Sequence, residues 1–201
     1  MLGCTLQGYL MNDIDLQDWD YQIKGNFRKA IMRDFQNFHI FVEADLQSSL
    51  SRLMRQFIIK NENPHWRVYN QPYQRSKSKE LGIYPDLLVT KRKDRRIALE
   101  LKQSALRESR VPFKKVNEDI SKLGEIGDSL SIPTYLVYSC YLSQEEEETQ
   151  LEQLESTAMG FRKPPEVVLI NLRNLNDHGA WRNRMFEHLK QIQELYGGGI
   201  I

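Results

Sequence analysis

The sequence predicts a single α/β domain, with a helix, three strands, a helix and a strand in the order αβββαβ, followed by further C-terminal α-β-α elements. Three observations carry this. Apolar residues recur at helical spacing in four separate stretches. Two apolar runs, Leu87 to Thr90 and Ile97 to Leu101, flank a short charged segment and read as a β-hairpin. A third run, P-T-Y-L-V-Y-S-C-Y-L at 133–142, reads as a buried strand. The 201 residues suffice for one sizeable core, and no repeat or linker divides them.

Residues 1–25 mix Tyr9, Leu10, Ile14, Trp19 and Tyr21 with Asp13, Asp15, Asp18 and Asp20, and read as an N-terminal arm lying on a domain of residues 26–196. The aspartates lack the loop glycine and terminal glutamate of a calcium-binding EF-hand. From Asn26 to Asn63 there is neither Gly nor Pro. Phe27, Ala30, Ile31, Phe35 and Phe38 form one helical stripe, and Leu46, Leu50, Leu53, Met54 and Phe57 a second, with a break possible near 39–42. Glu43 belongs to the second stripe, at its N-terminal end. A carboxylate facing the packed side needs a partner; favourable placement in the first turn of a helix dipole is the alternative reading.

Residues 66–73, W-R-V-Y-N-Q-P-Y, have strand composition, and a polar connection at 75–82 ends in glycine. Strands at 83–90 and 96–102 follow. The tip between them holds no Asn-Gly or Asp-Gly, so a five-residue loop is expected rather than a two-residue turn. Pro112 begins a helix with the stripe Phe113, Val116, Ile120, Leu123 and Ile126, ended by Gly124 and Gly127. On it, Asp119 and Lys122 read as a surface pair at i, i+3. Ser143 caps an acidic helix with Glu145 and Glu146 in its first turn. A strand at 167–172, a helix at 178–196 and a flexible tail at 197–201 complete the chain.

If the hairpin loop is symmetric about Lys93, Asp86 lies opposite Glu100. Alternation puts Asp86, Leu88, Ala98, Glu100 and Lys102 on one face, and Leu87, Val89, Ile97, Leu99 and Leu101 on the core face. Two carboxylates about 5 Å apart repel by roughly 3 kcal/mol at an effective dielectric near 20. Lys102 could offset this, or a divalent cation could, since hard cations take oxygen ligands.

Pro85-Asp86 followed by Glu100-Leu101-Lys102, on adjacent strands with apolar flanks, resembles the PD-(D/E)xK phosphodiesterase superfamily. The resemblance implies a restriction-endonuclease-like domain with a mixed central sheet. It implies Asp86, Glu100 and Lys102 as catalytic residues, and Mg²⁺, with Mn²⁺ as a substitute, held by Asp86, Glu100, the backbone carbonyl of Leu101 and Glu43. The expected activity is metal-dependent hydrolysis of phosphodiesters, most readily in DNA. The alternatives are a nuclease fold that binds nucleic acid or protein without turnover, and a structural ion network in an unrelated α/β protein.

Net charge is +1, so the whole chain is no polycation, but residues 75–115 hold thirteen Lys or Arg against five Asp or Glu. A basic stretch around a carboxylate cluster suits an anionic polymer. Arg75, Lys77, Lys114 and Lys115 are the expected phosphate contacts; Lys91 to Arg96 could equally be a solvated hairpin tip. Residues 143–157 carry six Glu and no basic residue, which reads as a solvated face. Cys4 and Cys140 have no metal-ligand spacing and suggest no disulfide framework. The four histidines show no ligand spacing either. The N-terminus does not read as a signal peptide and no apolar run approaches a membrane span, so a cytoplasmic protein is expected. One site per domain would require pairing, as in a homodimer, to cut both strands together.

Overall fold

The computed structural model describes residues 14–70, 85–104 and 113–196. The elements run α1 (Leu16–Tyr21), a π-helical stretch (Gln22–Phe27), α2 (Arg28–Gln36), α3 (Glu43–Lys60), β1 (Trp66–Asn70), β2 (Leu87–Lys91), β3 (Asp94–Ser104), α4 (Phe113–Leu130), β4 (Thr134–Cys140), α5 (Gln144–Ala158), β5 (Glu166–Asn171) and α6 (His178–Tyr196). The five strands form one open sheet in sequence order, antiparallel from β1 to β3 and parallel from β3 to β5. The two parallel joins need crossovers, which α4 and α5 supply.

Alternation along β2 and β3 sorts their side chains between two helical layers. Leu87, Val89, Ile97, Leu99 and Leu101 join the cluster formed with α1, α2, α3 and α6, where Trp19, Phe35, Leu46 and Met54 are fully buried. On the opposite face Leu88 and Ala98 pack with Ile126 and Ile132, and Leu136 and Tyr138 pack with α4 and α5. The result is an α/β domain with helices on both faces of a mixed sheet.

The hairpin differs in its tip. Lys91 pairs with Asp94, leaving the two-residue turn Arg92-Lys93 instead of a five-residue loop. Arg92 takes φ of 59° without the glycine or asparagine that usually signals such a turn, and its N–H donates to the His65 carbonyl at 2.6 Å. The register then shifts between Val89 and Thr90, because Arg96 is an extra residue on β3. That bulge restores the pairing Leu87 with Leu99, which the symmetric loop also predicts. The expected register therefore holds up to Leu87 with Leu99, where the pairing stops, whereas the expected five-residue loop does not form.

Two further elements depart from expectation. Residues 14–25 are part of the packed domain: Asp15 caps α1, and Ile14, Trp19 and Ile23 are buried. α4 does not stop at its glycines but runs on to Leu130. Gly124 is flat against the Phe161 ring, and a Cβ there would overlap that ring, so the residue serves close packing rather than termination. The break between α2 and α3 falls at 37–42; there Asp45 reaches back to accept the N–H groups of Phe41 and Val42 at 2.9 and 3.1 Å. Ser143 caps α5 as expected, in a reciprocal box with Glu146. The end of the first strand at 71–73, the connection at 75–82 and the tail at 197–201 lie outside the described residues. Cys140 is buried. Among the described residues no helix is long and apolar enough to cross a membrane.

Candidate functional site

β3 is eleven residues long and β2 only five, so β3 continues past the end of its neighbour. The pairing stops at Leu87 with Leu99, which leaves the β3 edge from Glu100 onward without a strand beside it among the described residues. Its backbone donors still need acceptors. Two carboxylates supply them. Asp86 Oδ2 accepts from the Leu101 N–H at 2.8 Å, and Glu43 Oε2 accepts from the Gln103 N–H at 3.3 Å. α3 is fastened to the same place by two side-chain amides. Gln47 Nε2 donates to the Asp86 carbonyl at 3.0 Å, and Gln103 Nε2 donates to the Phe41 carbonyl at 2.7 Å.

The other face of β3 presents Glu100 and Lys102 to α4. Glu100 is 3 % exposed and receives the Lys122 ammonium. Lys102 Nζ stands 3.1 Å from Asp119 Oδ2 and 3.8 Å from Glu43 Oε2. Four carboxylates and two ammoniums thus meet where β2 begins, drawn from α3, the residue before β2, β3 and α4.

Burial raises the Glu43 carboxyl above its ordinary range; Lys102 and the Gln103 N–H oppose that shift, and Asp86 and Asp119 add to it. Asp119 is raised for the same first reason, again opposed by Lys102. For Lys102 burial alone would lower the ammonium, but Glu43, Asp119 and Asp86 outweigh it and the net shift is upward. Burial lowers Lys122, with Asp86 acting the other way. The common influence of Asp86 on all four groups makes this one electrostatic unit.

Of the residues the sequence singled out, Asp86, Glu100, Leu101, Lys102 and Glu43 come together here. Asp86 directs one oxygen to the β3 edge rather than squarely onto the Glu100 face. Lys114 and Lys115 are exposed in the first turn of α4, and Lys114 shares an open groove of about 580 Å³ with Phe113, Asn117, Ser121 and Lys122. Arg75 and Lys77 lie outside the described residues. The hairpin tip is at the far end of β2, roughly 17 Å away for five strand residues; there Lys91 sits 5.5 Å from the Trp66 ring centroid and Arg96 pairs with Asp94 at 3.0 Å.

Asp119 and Lys122 correct the sequence reading: neither is a surface pair with the other. Asp119 falls three residues after Val116 and four before Leu123, so it shares their inward stripe, and that spacing is the signal that identifies it. Gln47, one turn after Glu43, is the other contributor that composition did not reveal.

Among the described residues no group of three or more His, Cys, Asp or Glu side chains is arranged to hold a metal ion. Ammoniums stand between the carboxylates instead. The donor chemistry nevertheless fits a hard cation. All four acids offer oxygen, and four carboxylates against two ammoniums leave two negative charges, the charge of one divalent ion. No family model matches the chain, and neither the curated proteins nor the solved structures give a significant match.

Proposed function

We propose that the chain is a divalent-cation-dependent phosphodiesterase of the PD-(D/E)xK type, with a restriction-endonuclease-like fold, acting on nucleic acid and most readily on DNA. The observation that carries this is the meeting of Asp86, Glu100 and Lys102 at the start of β2, with Glu43 completing the group from α3. Asp86 and Glu100 would hold Mg²⁺ or Mn²⁺, with Glu43 and the Leu101 carbonyl beside them. In a paired strand a residue's N–H and C=O leave on the same side, so that carbonyl shares the edge on which Asp86 lies. A bound cation supplies a water of lowered pKa and neutralises phosphate charge.

The chain's own groups account for the rest. Lys102, an ammonium kept between Glu43 and Asp119, stabilises negative charge that develops on the phosphate oxygens. Asp119 keeps that ammonium aimed from α4. Gln47 and Gln103 hold α3 against β2 and β3, which fixes Glu43 relative to Lys102. Lys114 and Lys115, exposed at the start of α4, are available to backbone phosphates.

A second reading, a nuclease-like fold without turnover whose charged cluster is structural, is favoured by the two ammoniums that already partner three of the carboxylates. One experiment separates the two. Purified protein is incubated with Mg²⁺ or Mn²⁺ on circular, linear, branched and single-stranded DNA, beside an EDTA control and the Glu100→Gln variant. Cleavage lost in both controls supports the phosphodiesterase. Intact DNA throughout, with salt-sensitive binding retained, supports the second reading.

A further inference from the structure

Glu100 poses a problem that its strand cannot solve. At 3 % exposure it is the most buried acid of the site, and an ionised carboxylate in that position is costly without a partner. Lys102, the lysine two residues along the strand, is committed elsewhere, to Asp119 and Glu43. The partner comes from α4. Lys122 reaches Glu100 from one turn beyond Asp119, its own side chain 29 % exposed and its ammonium partly desolvated in the process. It also lines the open groove that begins at Lys114, so solvent and an alternative position for the ammonium adjoin it.

From this geometry we infer that Lys122 is a built-in counter-ion that holds Glu100 in the cation-free protein and competes with a divalent cation for it. The inference rests on the proposed function, because it takes Glu100 to be a cation ligand. Asp86 and Glu100 alone would repel whenever the cation leaves, and Lys122 removes that penalty. The same ammonium weakens cation binding, since the incoming ion must displace it or tolerate a like charge nearby. Lys122 is thus a positioning and affinity-setting residue rather than a catalytic one. Lys102 remains paired with Asp119 and Glu43 in either state.

The test is Mn²⁺ binding, counted from the electron paramagnetic resonance signal of the free ion, for the full chain, Lys122→Met and Glu100→Gln, alongside thermal melts in EDTA and in Mn²⁺. Lys122→Met should bind Mn²⁺ at least about tenfold more tightly than the natural chain. It should also melt lower in EDTA and recover more on adding Mn²⁺. Glu100→Gln should lose the site. Equal or weaker Mn²⁺ binding by Lys122→Met, with Glu100-dependent binding in the natural chain, overturns the inference and leaves the proposed function standing. Absence of any Glu100-dependent Mn²⁺ binding overturns both. If Lys122→Met does not fold, Lys122→Gln keeps a donor for Glu100 without the charge and is read in the same way.

Discussion

Replacing Lys102 with Met removes the ammonium that lies 3.1 Å from Asp119 and 3.8 Å from Glu43. At an effective dielectric near 20 the two attractions are roughly 5 and 4 kcal/mol before desolvation. Most of that does not survive as net stability. The Glu43 side chain is 45 % exposed, so solvent screens its share, and burying the ammonium offsets much of the other. A net loss of about 2 kcal/mol is expected, because Asp119, at 18 % side-chain exposure, is left facing Glu43 without its cation. Adding Asp119→Asn removes the stranded charge, so the double variant should return to within about 1 kcal/mol of the natural chain. Urea denaturation in EDTA measures both. Cleavage of supercoiled DNA in Mg²⁺ is followed on the same preparations, and both variants should be inactive. A double variant that regains stability and cleavage together would show that Lys102 only holds the fold, and would refute its assignment to the chemistry. A single variant with unchanged stability would refute the ion network itself.

The remaining predictions test packing, ionisation and the path of nucleic acid. Gly124→Ala gains about 1 kcal/mol of helix propensity but drives the Phe161 ring off α4, so the natural chain should lose about 1 to 2 kcal/mol by urea denaturation. In a Phe161→Ala background the same substitution should become stabilising by about 1 kcal/mol, and an unchanged sign would contradict the packing. Tyr135 donates to Asp20 at 2.9 Å, and burial, with the Asp20 bond and charge behind it, raises its phenol well above the usual range. The unfolded chain loses this proton near pH 10 while the folded chain keeps it, so the contribution is full below that pH and falls as pH rises above it. Tyr135→Phe should therefore lose less stability than the natural chain between about pH 10 and 11, measured by chemical denaturation. Replacing Lys114 and Lys115 together by Ala should flatten the salt dependence of DNA affinity by up to about two phosphate contacts in Ca²⁺, whereas changes at the distant hairpin tip should leave it alone. An unaltered slope would exclude the start of α4 from the path.

Much of this was legible in the residues because alternation is a strong constraint. Alternation along the runs Leu87 to Thr90 and Ile97 to Leu101 divides their residues between two faces, and that puts Glu100 and Lys102 on the side of Leu88 and Ala98, opposite Leu87, Leu99 and Leu101. The turn was not legible, since Arg92 takes a left-handed conformation without a glycine and the Arg96 bulge hides the change in loop length. The α4 glycines misled for a related reason. Glycine ends helices through its backbone freedom, but it also admits a ring against the helix, and only Phe161, thirty-seven residues later, reveals which use applies. Asp119 and Lys122 were discounted because their mutual spacing suits a surface pair; their relation to Val116 and Leu123 carried the better information. What no pattern announced is the edge of β3 that has no strand beside it among the described residues, where side chains of Asp86 and Glu43 accept its N–H groups.

The account turns on whether Asp86 and Glu100 share one divalent cation, and anomalous scattering from crystals equilibrated with Mn²⁺ tests this most directly. A peak within about 2 to 2.5 Å of carboxylate oxygens of both residues is the predicted result, with the Lys122 ammonium drawn away from Glu100. No peak between them, at a Mn²⁺ concentration that saturates the chain in solution, would contradict it.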